Sequence, residues 1–119
     1  MTELEKCLAG EHYNCHDKIF LGFKSHARTL LQKYNALAYE ETELKSSILK
    51  ELFGGIGTKV SVASPFICDY GCNIYIGNNV SINMNCTFVD CNRIIIGDDV
   101  LIAPNVQLYT ARSEEHTSE

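Results

Sequence analysis

A chain of 119 residues has room for one ordinary domain. With 21 % charged residues, no Trp and a net charge of −5, a soluble globular protein is expected, and its scattered lysines exclude a basic nucleic-acid surface. No apolar run nears membrane-spanning length, and the start Met1-Thr2-Glu3-Leu4-Glu5-Lys6 lacks a secretory apolar core, so no membrane partner is predicted and the cytoplasm is the expected compartment. Without an export signal the six cysteines (Cys7, Cys15, Cys68, Cys72, Cys86, Cys91) read as reduced thiols with structural roles. Cys68-x3-Cys72 lacks a paired histidine, and no metal is predicted.

In chain order, residues 3 to 53 read as helical. Leu21, Ala27, Leu30, Leu31, Tyr34, Leu37 and Ala38 recur near helical spacing, softly interrupted at Gly22. Leu44, Ile48 and Leu52 follow at i, i+4 and i+8, with Thr42 as the expected N-cap and Gly54-Gly55 as the stop.

From Thr58 the helical period gives way to a six-residue one. Ile76, Ile82, Phe88, Ile96, Ile102 and Leu108 mark it, each preceded two positions earlier by Ile74, Val80, Cys86, Ile94, Val100 or Val106. Residues i and i+2 of a strand face one side, so each pair points inward. Gly, Asn or Asp then bends the chain, as in Gly77-Asn78-Asn79 and Gly97-Asp98-Asp99, because these residues tolerate positive φ. A strand and a bend every six residues make a three-sided coil of eighteen residues, stacked in parallel ladders around an aliphatic column: the hexapeptide β-helix. A β-meander would need hairpin turns and longer alternating strands. Phe88 to Ile96 spans eight residues, so the turn Val89-Asp90-Cys91-Asn92-Arg93 reads as a two-residue insertion that could form part of a binding surface.

Phe66-Ile67-Cys68-Asp69-Tyr70-Gly71-Cys72-Asn73-Ile74-Tyr75-Ile76-Gly77, Asn83-x-Asn85, Phe88-Val89-Asp90 and Ile96-Gly97-Asp98-Asp99-Val100-Leu101-Ile102-Ala103-Pro104-Asn105 resemble the maltose/galactoside O-acetyltransferases. So does the helical start, Ala9-Gly10-Glu11-His12-Tyr13 with Asp17 and Arg28. The resemblance implies a mainly β fold, a left-handed parallel β-helix with a small N-terminal α-helical domain at 1–57 and an incomplete helix of hexapeptide repeats at 58–111. It further implies acetyl transfer from acetyl-CoA, as co-substrate, to a sugar hydroxyl. The full-length form would be a homotrimer, with sites in clefts between solenoids and CoA along later coils.

Such transfer needs a general base on the hydroxyl and donors for the developing oxyanion. The family's histidine is expected near position 113, where this chain has Ser113; His116 is displaced by three residues and followed by Thr117, so no catalytic residue is assigned. His12, His16 and His26 lie in the helical region and are expected at the surface. For the sugar, the resemblance nominates Asp17, Asp69, Asn83 and Asp90, whose carboxylates and amide suit a polyol. Asp69 and Asn83 also fit as turn residues satisfying the backbone.

Arg112 to Glu119 breaks the repeat in mid-coil and is what one reading frame of a common DNA-sequencing adapter encodes; this tail is expected to be non-native, leaving a truncated chain that is itself inactive. Three readings stay open: a fragment of a sugar O-acetyltransferase, a non-catalytic β-helical scaffold or assembly subunit, and an acyltransferase for an amino-acid or antibiotic acceptor.

Overall fold

The structure, a computed structural model, describes residues 18 to 110. Two helices, α1 (Lys18–Ala36) and α2 (Thr42–Leu52), precede β1 (Gly55–Ile56), β2 (Val60–Val62), β3 (Phe66–Cys68), β4 (Ile74–Ile76), β5 (Val80–Ile82), β6 (Cys86–Val89), β7 (Ile94–Ile96), β8 (Leu101–Ile102) and β9 (Gln107–Tyr109). The strands form three parallel sheets, β1-β4-β7, β2-β5-β8 and β3-β6-β9, so consecutive strands always belong to different sheets. Hairpins would pair consecutive strands in antiparallel fashion, which excludes the meander.

The register corrects the coil length. Val60 pairs with Val80, Phe66 with Cys86 and Ile74 with Ile94, so one turn of the column takes twenty residues rather than eighteen. The two extra residues are therefore not a single insertion after Phe88. They recur at the same edge in the preceding coil, between Cys68 and Ile74.

Inside, the paired inward positions behave as their period requires. In β4 and β5 the outer residues of each strand are buried and the middle one is exposed. Phe53, Phe66 and Phe88 run through the column edge to face, with ring centroids 5.8 and 5.1 Å apart. At the other edges the chain turns through left-handed backbone at fixed intervals: Lys59, Asn79 and Asp99 have φ of 57°, 58° and 58°, and Asn85 and Asn105 have 63° and 65°. Asn and Asp adopt this region most readily among residues with a side chain. Side chains knit the bends vertically. Asn78 Oδ1 accepts the Thr58 N–H at 2.8 Å, Asp98 Oδ1 accepts the Asn78 N–H at 2.7 Å, and Asn79 donates to Asp99 at 2.8 Å.

The helices cover the first coil. In α1, Ala27, Leu30, Leu31 and Tyr34 are buried as the spacing predicts. Gly22 leaves the helix unbroken, and Leu21 is exposed while Phe20 is buried against Tyr70. Asn35 grips β3, its amide both accepting from and donating to the Phe66 backbone at 3.0 Å.

In α2 two expectations are corrected. Thr42 is the first helical residue, and the cap position falls to Glu41, which makes no side-chain capping bond. Leu44 is exposed, and the buried pair is Leu49 and Leu52. The helix ends at Leu52, just before Gly54-Gly55 as expected, and Gly54 is also a close approach, because a Cβ there would collide with the Cys72 carbonyl and the Tyr75 ring. The solenoid's first strand then begins at Gly55, three residues before the expected 58.

Candidate functional site

Each edge of the prism is a stack of bends, and the candidate residues fall on two edges. Asn83 lies between β5 and β6; Asp69 and Asp90 lie between the β3-β6-β9 sheet and the β1-β4-β7 sheet, where each bend is two residues longer. The β3-β6-β9 face therefore separates Asn83 from the two acids, and the structure does not bring the three together within one chain. Asp17, Ser113 and His116 lie outside the described residues.

Asn83 is half-buried, and its N–H donates to the Ile102 carbonyl at 3.0 Å. Its side-chain amide makes no hydrogen bond among the described residues, leaving donors and acceptor for another molecule. Beside it, Met84 borders a cleft of about 510 Å³ between the helices and the first coil, lined by Tyr34, Leu37, Leu49, Val62 and Ser64 among others. The Tyr34 hydroxyl donates to the Val62 carbonyl, and burial pushes its pKa up to about 12. Ser64 Oγ is buried in the same lining with no partner among the described residues.

At the wide edge, Asp69 is half-buried, and the Cys91 thiol approaches its Oδ2 at 3.9 Å. Asp90 is fully buried, and both carboxylate oxygens are turned onto backbone N–H groups of the coil below. Its Oδ1 accepts the N–H groups of Asp69 and Tyr70 at 3.1 and 2.9 Å, and Oδ2 accepts that of Asn73 at 3.3 Å. Asn73 Nδ2 donates in return to the Asp90 carbonyl at 2.9 Å. Burial raises the Asp90 pKa to about 6, an effect that N–H bonds from Tyr70, Asn73 and Gly71 only partly offset.

Burial likewise raises the Cys68 and Cys72 thiols, reinforced by the Asp90 charge. Both stay protonated at neutral pH, so neither is a ready nucleophile. His26, the histidine among the described residues, sits exposed on α1 with Nε2 3.9 Å from Glu51. Asn73 and Asn35 escaped the sequence reading. The signal for Asn73 was the twenty-residue repeat, which places Arg93 directly above it and Asp90 at the start of the same bend in the next coil.

Parallel strands in three sheets, wound as a column and covered at one end by two helices, define the class of left-handed parallel β-helix proteins built from hexapeptide repeats. The maltose acetyltransferase hexapeptide capping motif matches residues 6–57. Nodulation protein L of Rhizobium meliloti (strain 1021) is 39 % identical over 110 residues, 92 % of this chain and 60 % of that protein. A maltose O-acetyltransferase from Clostridium difficile 630 superimposes with a TM-score of 0.91 at 38 % identity, over 99 % of this chain and 65 % of that one. A hexapeptide-repeat acetyltransferase from Vibrio cholerae O1 biovar eltor, solved in complex with acetyl coenzyme A, gives a TM-score of 0.80 at 40 % identity, over 90 % of this chain and 57 % of its own. Over its aligned length the chain is similar to the maltose/galactoside O-acetyltransferases and to other hexapeptide-repeat acetyltransferases. It spans less than two thirds of the length of each of these relatives.

Proposed function

We propose that the chain forms the acceptor-binding part of an acetyl-CoA-dependent sugar O-acetyltransferase. The observation that carries this reading is a fold shared over nearly the whole chain, at 38 % identity, with a protein solved as a maltose O-acetyltransferase. The acetyl coenzyme A complex of a further relative supports the donor.

In the reaction, a sugar oxygen attacks the thioester carbonyl while a general base removes its proton. The tetrahedral oxyanion collapses, the C–S bond breaks, and CoA leaves as the thiol with that proton. The described residues supply recognition rather than base. Asn83 offers an amide that can donate to and accept from vicinal hydroxyls, and Asp69 offers a carboxylate acceptor. Because one chain holds them at opposite edges of a face, a single acceptor meets both only where edges of neighbouring protomers converge. This supports a homotrimer with shared clefts.

The test is steady-state acetyl-CoA turnover by the full-length protein against a panel of mono- and disaccharides, with amino-acid and aminoglycoside acceptors alongside. Thiol release that depends on a sugar is expected, with Asn83→Ala raising the acceptor KM about tenfold, the equivalent of about 1.4 kcal/mol. A folded oligomer that turns over none of the panel would favour the scaffold. Preference for a non-sugar amine would reassign the acceptor.

A further inference from the structure

We propose that Asp90 is a positioning residue: from the second coil, its buried carboxylate holds the bend at 69–73 in the one shape that presents Asp69 to the acceptor. This deepens the proposed function and rests on its assignment of Asp69.

The bend at 69–73 is held from three directions. From below, Gly71 has φ +78° and lies against Leu52 of α2 so closely that any Cβ would strike its side chain and carbonyl. From the side, Tyr70 is buried against Phe20 and Phe23 of α1, with ring centroids 5.9 and 6.1 Å away, and Lys24 Nζ lies 5.8 Å from its ring. From above comes Asp90, whose two oxygens take the N–H groups of residues 69, 70 and 73 while its carbonyl takes the Asn73 amide.

A bend five residues long has more backbone freedom than the shorter bends on the other edges. Its N–H groups point away from any ladder and need an acceptor. One carboxylate satisfies three of them together, fixing where the chain leaves β3 and hence the direction of the residue at 69. A neutral amide at position 90 would put donors against donors. Burial of a full charge is costly unless hydrogen bonds compensate it, and the compensation here is spent on backbone geometry, not on a ligand. The groups around the carboxylate are the thiols of Cys68 and Cys72 and the carboxylate of Asp69, which add no cation to the site.

The experiment measures the full-length protein with Asp90→Asn, Asp69→Asn and the double variant, reading kcat and both KM values. Asp90→Asn is expected to raise the acceptor KM about tenfold, leave the acetyl-CoA KM within about twofold, and add nothing to Asp69→Asn in the double variant. Additive losses, an equal loss in every parameter, or no change would overturn the proposal. Amide exchange at Asp69, Tyr70 and Asn73 supplies the readout independent of turnover. It should accelerate at least about tenfold in Asp90→Asn while Val80 and Ile82 stay protected; uniform acceleration, or none, would reduce Asp90 to general stability or to no role. Should Asp90→Asn fail to fold, Asn73→Ala loosens the same clasp from its half-exposed side, and an unchanged acceptor KM there overturns the proposal. If the wild type acetylates no sugar, the proposed function falls and takes Asp69's acceptor role with it, while the exchange pattern still decides whether Asp90 sets the bend.

Discussion

Asp90 carries its carboxyl into a place with no exposure, and the consequence is a pKa near 6 against an ordinary 3.8. The sign follows from linkage. Between about pH 4 and 6 the folded chain holds a proton there that the unfolded chain has released, so this residue's contribution is greatest below pH 4 and declines as pH rises through 6, by on the order of 2 to 3 kcal/mol. Urea unfolding of wild type and Asp90→Asn across that window should show the wild-type advantage shrinking with pH; a constant or growing difference would contradict it. Gly71 gives a second outcome at this scale. Its positive φ and its contact with Leu52 leave no place for a methyl group, so Gly71→Ala should cost about 1 to 3 kcal/mol in a denaturant melt, while Gly22→Ala, with open space around it, should be neutral or stabilising. The role of Asp90 was hidden from the sequence for a definite reason. Its partners are backbone N–H groups seventeen to twenty-one positions earlier, visible only once the coil is known to take twenty residues. The eight-residue step from Cys68 to Ile76 carried that information, and it repeats the step from Phe88 to Ile96.

The strands were legible as elements because their period is short and their middle residues point outward without exception in β3, β4 and β5. Helix α2 was legible in place and less so in phase. In α2 the spacing Leu44, Ile48, Leu52 competes with the pair Leu49 and Leu52, and only docking on the coil decides between them. Burial of Leu49 at 3 % exposure against 54 % for Leu44 makes the difference measurable. Leu49→Ala should lower stability by about 2 to 5 kcal/mol, and Leu44→Ala by less than about 0.5. Equal effects would show that α2 is rotated from the orientation described. The clasp of Asn35 on Phe66 belongs to the same docking and had no helical-period signal, since a polar residue on a half-buried face reads as surface until its partner strand is placed.

Across the whole molecule, cover over the column declines from the helical end to the other. Among inward residues of the second coil, Ile76, Ile82 and Phe88 are 5 %, 2 % and 0 % exposed; above them Ile96 and Leu108 are only partly buried. The last coil also turns Ile95, Leu101 and Tyr109 outward at 73 %, 75 % and 67 % exposure, beside strand edges that pair with nothing further among the described residues. Helices α1 and α2 cap the other end, and caps are what keep a solenoid from associating through its open rungs. The 119-residue polypeptide is therefore expected to self-associate with rising concentration and to melt over a broad range. A version extended by further six-residue repeats over the exposed rung should sediment as a single species and melt sharply. Sedimentation velocity and calorimetry on the two distinguish the cases: a monodisperse 119-residue sample with one sharp transition would mean that three rungs and a helical cap suffice, and that the exposed rung is no hazard to the fold.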